Sequence, residues 1–286
     1  MWSMRLNLFV CFLFVVPVTG TLGGCGTPQP TTKAVGARAG GGGSKAVVPT
    51  AEQAKPGKDI YFLLDGYSTC PNFSDTEGAI ANTNMTKILA DLVAELKVKK
   101  KPDPTYLLSC FTPAAGSIYF TTSEFPNFTQ YVAINDFTAK VGQMVGKEAN
   151  ASVHIVGYSY GGWTAMKVAK EIELAAGTNL TSLVTIDPIS ATNCTPSDFL
   201  GSATGQLAPG CNEAPTDFGA DGLAAIKAKA KLWGNYYQDE LNPLHSGSID
   251  GAENSDISLS EAALTAHLAI VTDTDVRKKI VSAITR

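Results

Sequence analysis

Residues 153–162 read Val-His-Ile-Val-Gly-Tyr-Ser-Tyr-Gly-Gly. A short apolar run enters a Gly-x-Ser-x-Gly turn and leaves it as an amphipathic helix, and no other stretch narrows the folding options as much. A serine at the apex of so sharp a strand-to-helix turn is held in a strained backbone conformation, and its close neighbours two residues before and after must lack a Cβ. Gly157 and Gly161 fill those positions, so Ser159 is pushed out with its hydroxyl above the sheet. Residues 152–156 are β-rich, as the turn requires upstream. Downstream, Ala165, Met166, Ala169, Ile172 and Ala176 recur at helical spacing, which predicts a helix running to a C-cap at Gly177.

Strand and helix signals alternate through the rest of the chain, the pattern of an α/β fold with a mostly parallel central sheet and helices on both faces. Residues 60–64 read as a buried strand. Met85, Ile88, Leu89, Leu92 and Leu96 form one helical face, and residues 106–109 the next strand. A helical segment through Phe137, Val141 and Val145 leads into the serine turn. After it come a strand at 180–186, a Gly/Pro-rich excursion from 190 to about 221, a short helix, and a strand at 232–238. Val276, Ile280 and Ile284 mark a C-terminal helix. With 286 residues, 44% of them hydrophobic, the chain can bury one sizeable core, placed at residues 57–286. The net charge is −4, and the lysines at 97 and 99–101 read as the solvated end of a helix, so nothing calls for a nucleic-acid partner.

The N-terminus carries Arg5, an apolar run from Leu6 to Val18, and then Leu22-Gly23-Gly24-Cys25. This is the anatomy of a secretory signal over residues 1–24. Its ending resembles the bacterial lipobox, which implies a lipidated Cys25 as the first mature residue and a membrane partner through that anchor. Gly26 in place of an aspartate implies, by the same resemblance, transport to an outer membrane. The alternative is ordinary cleavage near residues 20–24 and a secreted protein. Residues 25–56 are rich in Gly, Pro and Thr and read as a flexible tether. Outside the cytosol, Cys70, Cys110, Cys194 and Cys211 can be disulfide-bonded. Four cysteines allow three pairings, of which Cys70 with Cys110 is favoured because both are expected just after neighbouring strands, and Cys194 with Cys211 because it would close a loop.

Over roughly residues 57–286 this arrangement resembles the α/β-hydrolase superfamily, and the Gly-Tyr-Ser-Tyr-Gly-Gly turn is similar to those of its thioesterases and lipase-like esterases. The resemblance implies a serine hydrolase. A serine hydroxyl needs a base within reach, and the base needs an acid that fixes its tautomer. The chain has three histidines. His154 lies within the turn's own strand and reads as a core residue. His267 lies between the last predicted strand and the C-terminal helix, matching the superfamily's histidine loop, and is the expected base; His245, in a Pro/Gly-rich segment, is the alternative. Asp187 ends the strand after the serine helix, where Pro188 stops regular structure, and is the expected acid; Asp239, one strand later, is the alternative. Ser159, Asp187 and His267 also follow the superfamily's chain order. An oxyanion hole is expected from the N–H of Tyr160 and from that of Tyr67 or Gly66, with the role of Asp65 open. The expected substrate is a small-molecule or lipid ester, with no metal or cofactor. A thioesterase, a peptidase, or a lipid-anchored binding protein without turnover are the other readings.

Overall fold

The computed structural model describes residues 57–67, 70, 83–111, 117–195, 198, 210–238, 244–259 and 265–286, the side chains of 127 and 128 excepted. The expected signal segment, Cys25, the tether, Asp239 and residues 196, 197 and 199–209 of the excursion lie outside the described residues. In chain order the elements are β1 (Asp59–Leu64), α1 (Asn84–Val98), β2 (Thr105–Phe111), β3 (Ser117–Thr122), β4 (Phe125–Ala133), α2 (Phe137–Val145), β5 (Ser152–Tyr158), α3 (Tyr160–Glu171), β6 (Asn179–Ile186), α4 (Gly219–Lys229), β7 (Ala230–Tyr237), β8 (Glu253–Asp256), α5 (Ala266–Ile270) and α6 (Thr274–Ile284).

The strands form one sheet in the order β4-β3-β2-β1-β5-β6-β7-β8. Every neighbouring pair from β2 to β8 is parallel, while β3 and β4 extend the other edge as an antiparallel hairpin. The central strands are buried on both sides, which is why β1 reads as an unbroken apolar run rather than an alternating one. Ile60, Phe62 and Leu64 pack with α2, α3 and α4 on one face. Tyr61 and Leu63 pack with α1 and α6 on the other.

Chain order reverses at the centre of the sheet. From β1 the chain moves outward to β2, then returns to the opposite side of β1 as β5. Such a switch point opens a crevice above the carboxyl ends of the two strands, and here those ends carry Asp65-Gly66-Tyr67 and Ser159.

Three sequence expectations need correction. The serine helix α3 stops at Glu171, with Ile172 extended and Lys229 Nζ donating to the carbonyls of Lys170 and Ile172. Residues 172–178 are needed to bring the chain back so that Asn179 N–H can donate to the Ala151 carbonyl at 2.9 Å and start β6 beside β5. Gly177 therefore serves that return, at φ +80°, and caps no helix. The β3–β4 hairpin and the short strand β8 were not expected from the sequence. Cys110 lies inside β2 rather than after it.

Candidate active site

The serine turn is dictated by packing. A Cβ on Gly157 would stand 2.2 Å from the Gly161 carbonyl oxygen, and one on Gly161 would stand 2.1 Å from the Leu64 carbonyl oxygen. Both clashes are with backbone, so the motif's glycines let β5, α3 and the end of β1 approach one another. Gly66 serves the same end, since its Cβ would come within 2.9 Å of the Ser159 Cβ. Ser159 has φ 55° and ψ −125°, a conformation that persists only where the surroundings over-determine it. They do: its N–H donates to Ile186 O at 3.0 Å, and its carbonyl accepts from Gly162 N–H at 2.8 Å and from Trp163 and Ile189 N–H at 3.2 Å each.

Asp187, at the carboxyl end of β6, also has a left-handed backbone, with φ 43°. Its side chain is fully buried and accepts three hydrogen bonds. Oδ2 receives His267 Nδ1–H at 2.7 Å and Gln238 Nε2–H at 2.9 Å, and Oδ1 receives the Ser246 N–H at 2.8 Å. With Nδ1 committed as donor to a carboxylate, the imidazole presents the Nε2 lone pair outward. That nitrogen lies 3.0 Å from Ser159 Oγ. The structure thus brings Ser159, His267 and Asp187 into one hydrogen-bonded relay, with exposures of 6%, 3% and 0%.

His267 sits on the five-residue helix α5 between β8 and α6, turned inward. Its carbonyl accepts the Tyr158 hydroxyl at 2.7 Å, and the Tyr158 ring lies 5.0 Å from the imidazole at a 30° tilt. The other two histidines are elsewhere. His154 is buried in β5, paired with Ser182 Oγ at 2.8 Å and stacked on Tyr61 at 4.7 Å. His245 bonds through Nδ1 to the Ser246 carbonyl at 2.8 Å, next to the acid's loop.

Tyr160 heads α3, where the first N–H groups of a helix have no intrahelical acceptor. Its hydroxyl donates to the Cys194 carbonyl, and its ring meets Tyr67 edge-on at 5.2 Å. Gly66 N–H donates to Asp65 Oδ1 at 2.8 Å. Asp65, whose role the sequence leaves open, makes a second contact. Its buried carboxylate also accepts Met85 N–H at 3.1 Å, tying the loop after β1 to the first turn of α1, whose own cap residue Thr83 makes no side-chain cap bond. Burial pushes this carboxyl above its ordinary range, against the opposing pull of the Met85 and Gly66 N–H groups.

Both favoured disulfides are formed. Cys70–Cys110 joins the chain beyond the Asp65 loop to β2, and Cys194–Cys211 closes the base of the excursion after Asp187. Sequence reading missed Tyr158, Gln238 and Ser246. A polar residue at the carboxyl end of β7, beside the crevice, was the available signal for Gln238; a backbone N–H such as that of Ser246 leaves none.

No protein-family model matches the chain, and neither does any curated protein. Among solved structures, the ydeN gene product from B. subtilis is similar with a TM-score of 0.42 and 11% identity, over 80% of this chain and all (100%) of that one. EstE5, in crystals soaked with p-nitrophenyl butyrate, is similar with a TM-score of 0.37 and 14% identity, over 80% of this chain and 76% of that one. These are likenesses of fold alone. The doubly wound, mostly parallel sheet, with its serine turn at the carboxyl end of central strand β5 and its helices on both faces, is that of the α/β-hydrolase fold.

Proposed function

We propose that the protein is an exported serine hydrolase that cleaves carboxylic esters through an acyl-enzyme intermediate. The observation that carries this reading is the continuous relay from Ser159 Oγ through His267, at 3.0 Å, to Asp187, at 2.7 Å, on a strained turn at the sheet's switch point. A buried aspartate, a histidine in one tautomer and a serine held at φ 55° cost stability, and a chemical role accounts for that cost.

His267 Nε2 takes the Ser159 hydroxyl proton as Oγ attacks the ester carbonyl carbon, and the carbonyl electron pair moves onto oxygen. The N–H groups of Tyr160 and Tyr67 receive that oxyanion, each donor worth about 3 kcal/mol of barrier. Collapse breaks the bond to the alcohol, which leaves with the proton from Nε2. Water then repeats the sequence and releases the acid, restoring the serine. Asp187 holds the imidazole's tautomer and supports its positive charge throughout.

Export is supported by the N-terminal segment ending at Cys25 and by the two disulfides, which persist where the chain is outside the cytosol. We place the protein in a bacterial cell envelope, anchored through Cys25 at the outer membrane. Export also favours oxygen esters over carrier-bound thioesters, whose substrates are intracellular. The test is labelling by a fluorophosphonate probe: the wild-type chain reacts and Ser159→Ala does not. A wild-type chain that takes no label is a binding protein on this scaffold, and the proposal fails. A series of p-nitrophenyl esters of graded length then reads the acyl preference, and turnover of thioesters or peptides but not of these esters would replace the ester reading.

A further inference from the structure

The residue that precedes the nucleophile does something the relay itself leaves unexplained. Resting on the serine-hydrolase reading above, we propose that Tyr158 is the positioning residue for His267: its hydroxyl anchors the histidine's main chain and its ring backs the imidazole.

Ser159 and Asp187 are tied to adjacent central strands, but His267 arrives on α5, which is five residues long. So short a helix leaves its last four carbonyls, that of His267 among them, without intrahelical donors. Past the helix end, the N–H groups of Thr272 and Asp273 both donate to the Ala269 carbonyl, at 2.9 Å each. The His267 carbonyl takes its hydrogen bond from the Tyr158 hydroxyl, at 2.7 Å and across 109 residues of sequence. Tyr158 ends β5, the strand between β1 and β6, and is buried on every side. The stiffness of the sheet's centre is thereby passed to the element that holds the base.

The ring adds a second contact. Its centroid lies 5.0 Å from that of the imidazole, within the distance at which an aromatic face attracts a cation. The imidazole becomes a cation when it takes the serine proton. Burial holds the Tyr158 phenol well above its ordinary value, and the charges of Asp187 and Asp65 add to this, so the hydroxyl stays a donor at every working pH. Among the described residues, Asp187 from the end of β6 and Tyr158 from β5 are the ionisable groups against the imidazole, with Asp65 behind the tyrosine. The nearby charges of α6 have other partners: Asp273 caps its own helix, Asp275 pairs with Lys278, and Arg277 with Asp91.

The test compares Tyr158→Phe and Tyr158→Leu in the full chain. One arm is an NMR titration of the His267 imidazole, which is assignable because the chain has three histidines. The other is kcat and KM on a p-nitrophenyl ester. The phenylalanine variant keeps the ring and loses the anchor: kcat should fall about tenfold with KM within about twofold, and the titration midpoint should hold. The leucine variant loses both, so the midpoint should move to lower pH as the imidazolium loses its aromatic neighbour, and the acid limb of kcat/KM should move with it. A Tyr158→Phe variant with wild-type kcat overturns the anchor, and an unmoved midpoint in Tyr158→Leu overturns the ring's part. A lowered Tm with both readouts unchanged reduces Tyr158 to packing and overturns the proposal. Tyr158→Phe decides alone if the leucine variant does not fold. The titration needs no turnover, so a wild-type chain that resists fluorophosphonate would end the hydrolase reading, while a moved midpoint would still support the contact.

Discussion

Replacing Asp187 by asparagine asks the acid's surroundings to choose which way an amide points. The carboxylate receives three donors, from His267 and Gln238 on Oδ2 and from the Ser246 backbone on Oδ1. Asparagine offers one oxygen and one NH2 group. If its nitrogen takes the Oδ1 place, it faces the Ser246 N–H at 2.8 Å, a donor against a donor that the backbone cannot relieve, at about 1–3 kcal/mol. If its nitrogen takes the Oδ2 place, it faces Gln238 and His267, and both can adapt. The Gln238 amide can turn its buried, unpartnered Oε1 toward the new donor. The imidazole can accept on Nδ1, but its proton then sits on Nε2 and points at Ser159 Oγ. The second arrangement wins, and it holds the base in the wrong tautomer. Such a tautomer costs a serine relay about 10⁴ in kcat, which is about 5.4 kcal/mol of barrier. The assay is ester hydrolysis by the purified variant, with the His267 tautomer read from its ring nitrogen shifts. A kcat within tenfold of the wild-type value, or an Nδ1-protonated imidazole in the variant, would refute the reasoning.

Gly161→Ala places a methyl group 2.1 Å from the Leu64 carbonyl oxygen and should cost about 3 kcal/mol or more as an overpacked site, seen as a lower midpoint in urea; an unchanged midpoint would mean the turn opens freely. Loss of each disulfide should destabilise by loop length: about 3 kcal/mol for Cys194–Cys211, which spans 17 residues, and about 4 kcal/mol for Cys70–Cys110, which spans 40. Denaturant melts of the paired serine variants check the order. Because burial raises the Asp65 carboxyl above its ordinary value of 3.8, the folded chain holds that proton more tightly than the unfolded one. The resulting stability is complete below that ordinary value and is lost as pH rises through the folded-state value. Melts across acidic pH should therefore show wild type losing ground to Asp65→Asn as pH increases, and a pH-independent difference would contradict the sign.

The serine turn was legible because its cause is local: Gly157 and Gly161 are demanded by sterics within a few residues of Ser159. Asp187 was legible from Pro188, which marks the strand's end, and His267 from its place before the last helix. The hairpin was harder to see. Ile118 and Phe120 alternate as a strand should, and Ser123-Glu124 makes a two-residue connection, but no Asn-Gly or Asp-Gly marks the turn, and Pro126-Asn127 reads as loop. Strand β8 has no apolar period at all; Asn254 holds it through Asn235 Nδ2, a contact between residues 19 apart. Asp65, Gln238 and Tyr158 act on partners 20, 51 and 109 residues away, distances over which no spacing rule operates.

The hydrogen bonds around Ser159 carry one more implication. Its N–H is bound to Ile186, immediately before the acid, and its carbonyl accepts from Ile189, two residues after it. Ser159 and Asp187 are therefore fastened to each other through the main chain, so a shift of one carries the other with it. The imidazole is held to that platform by side chains, through the Tyr158 hydroxyl on the His267 carbonyl and the Asp187 carboxylate at Nδ1, so the alignment of the whole apparatus rests on how one short helical turn docks against it.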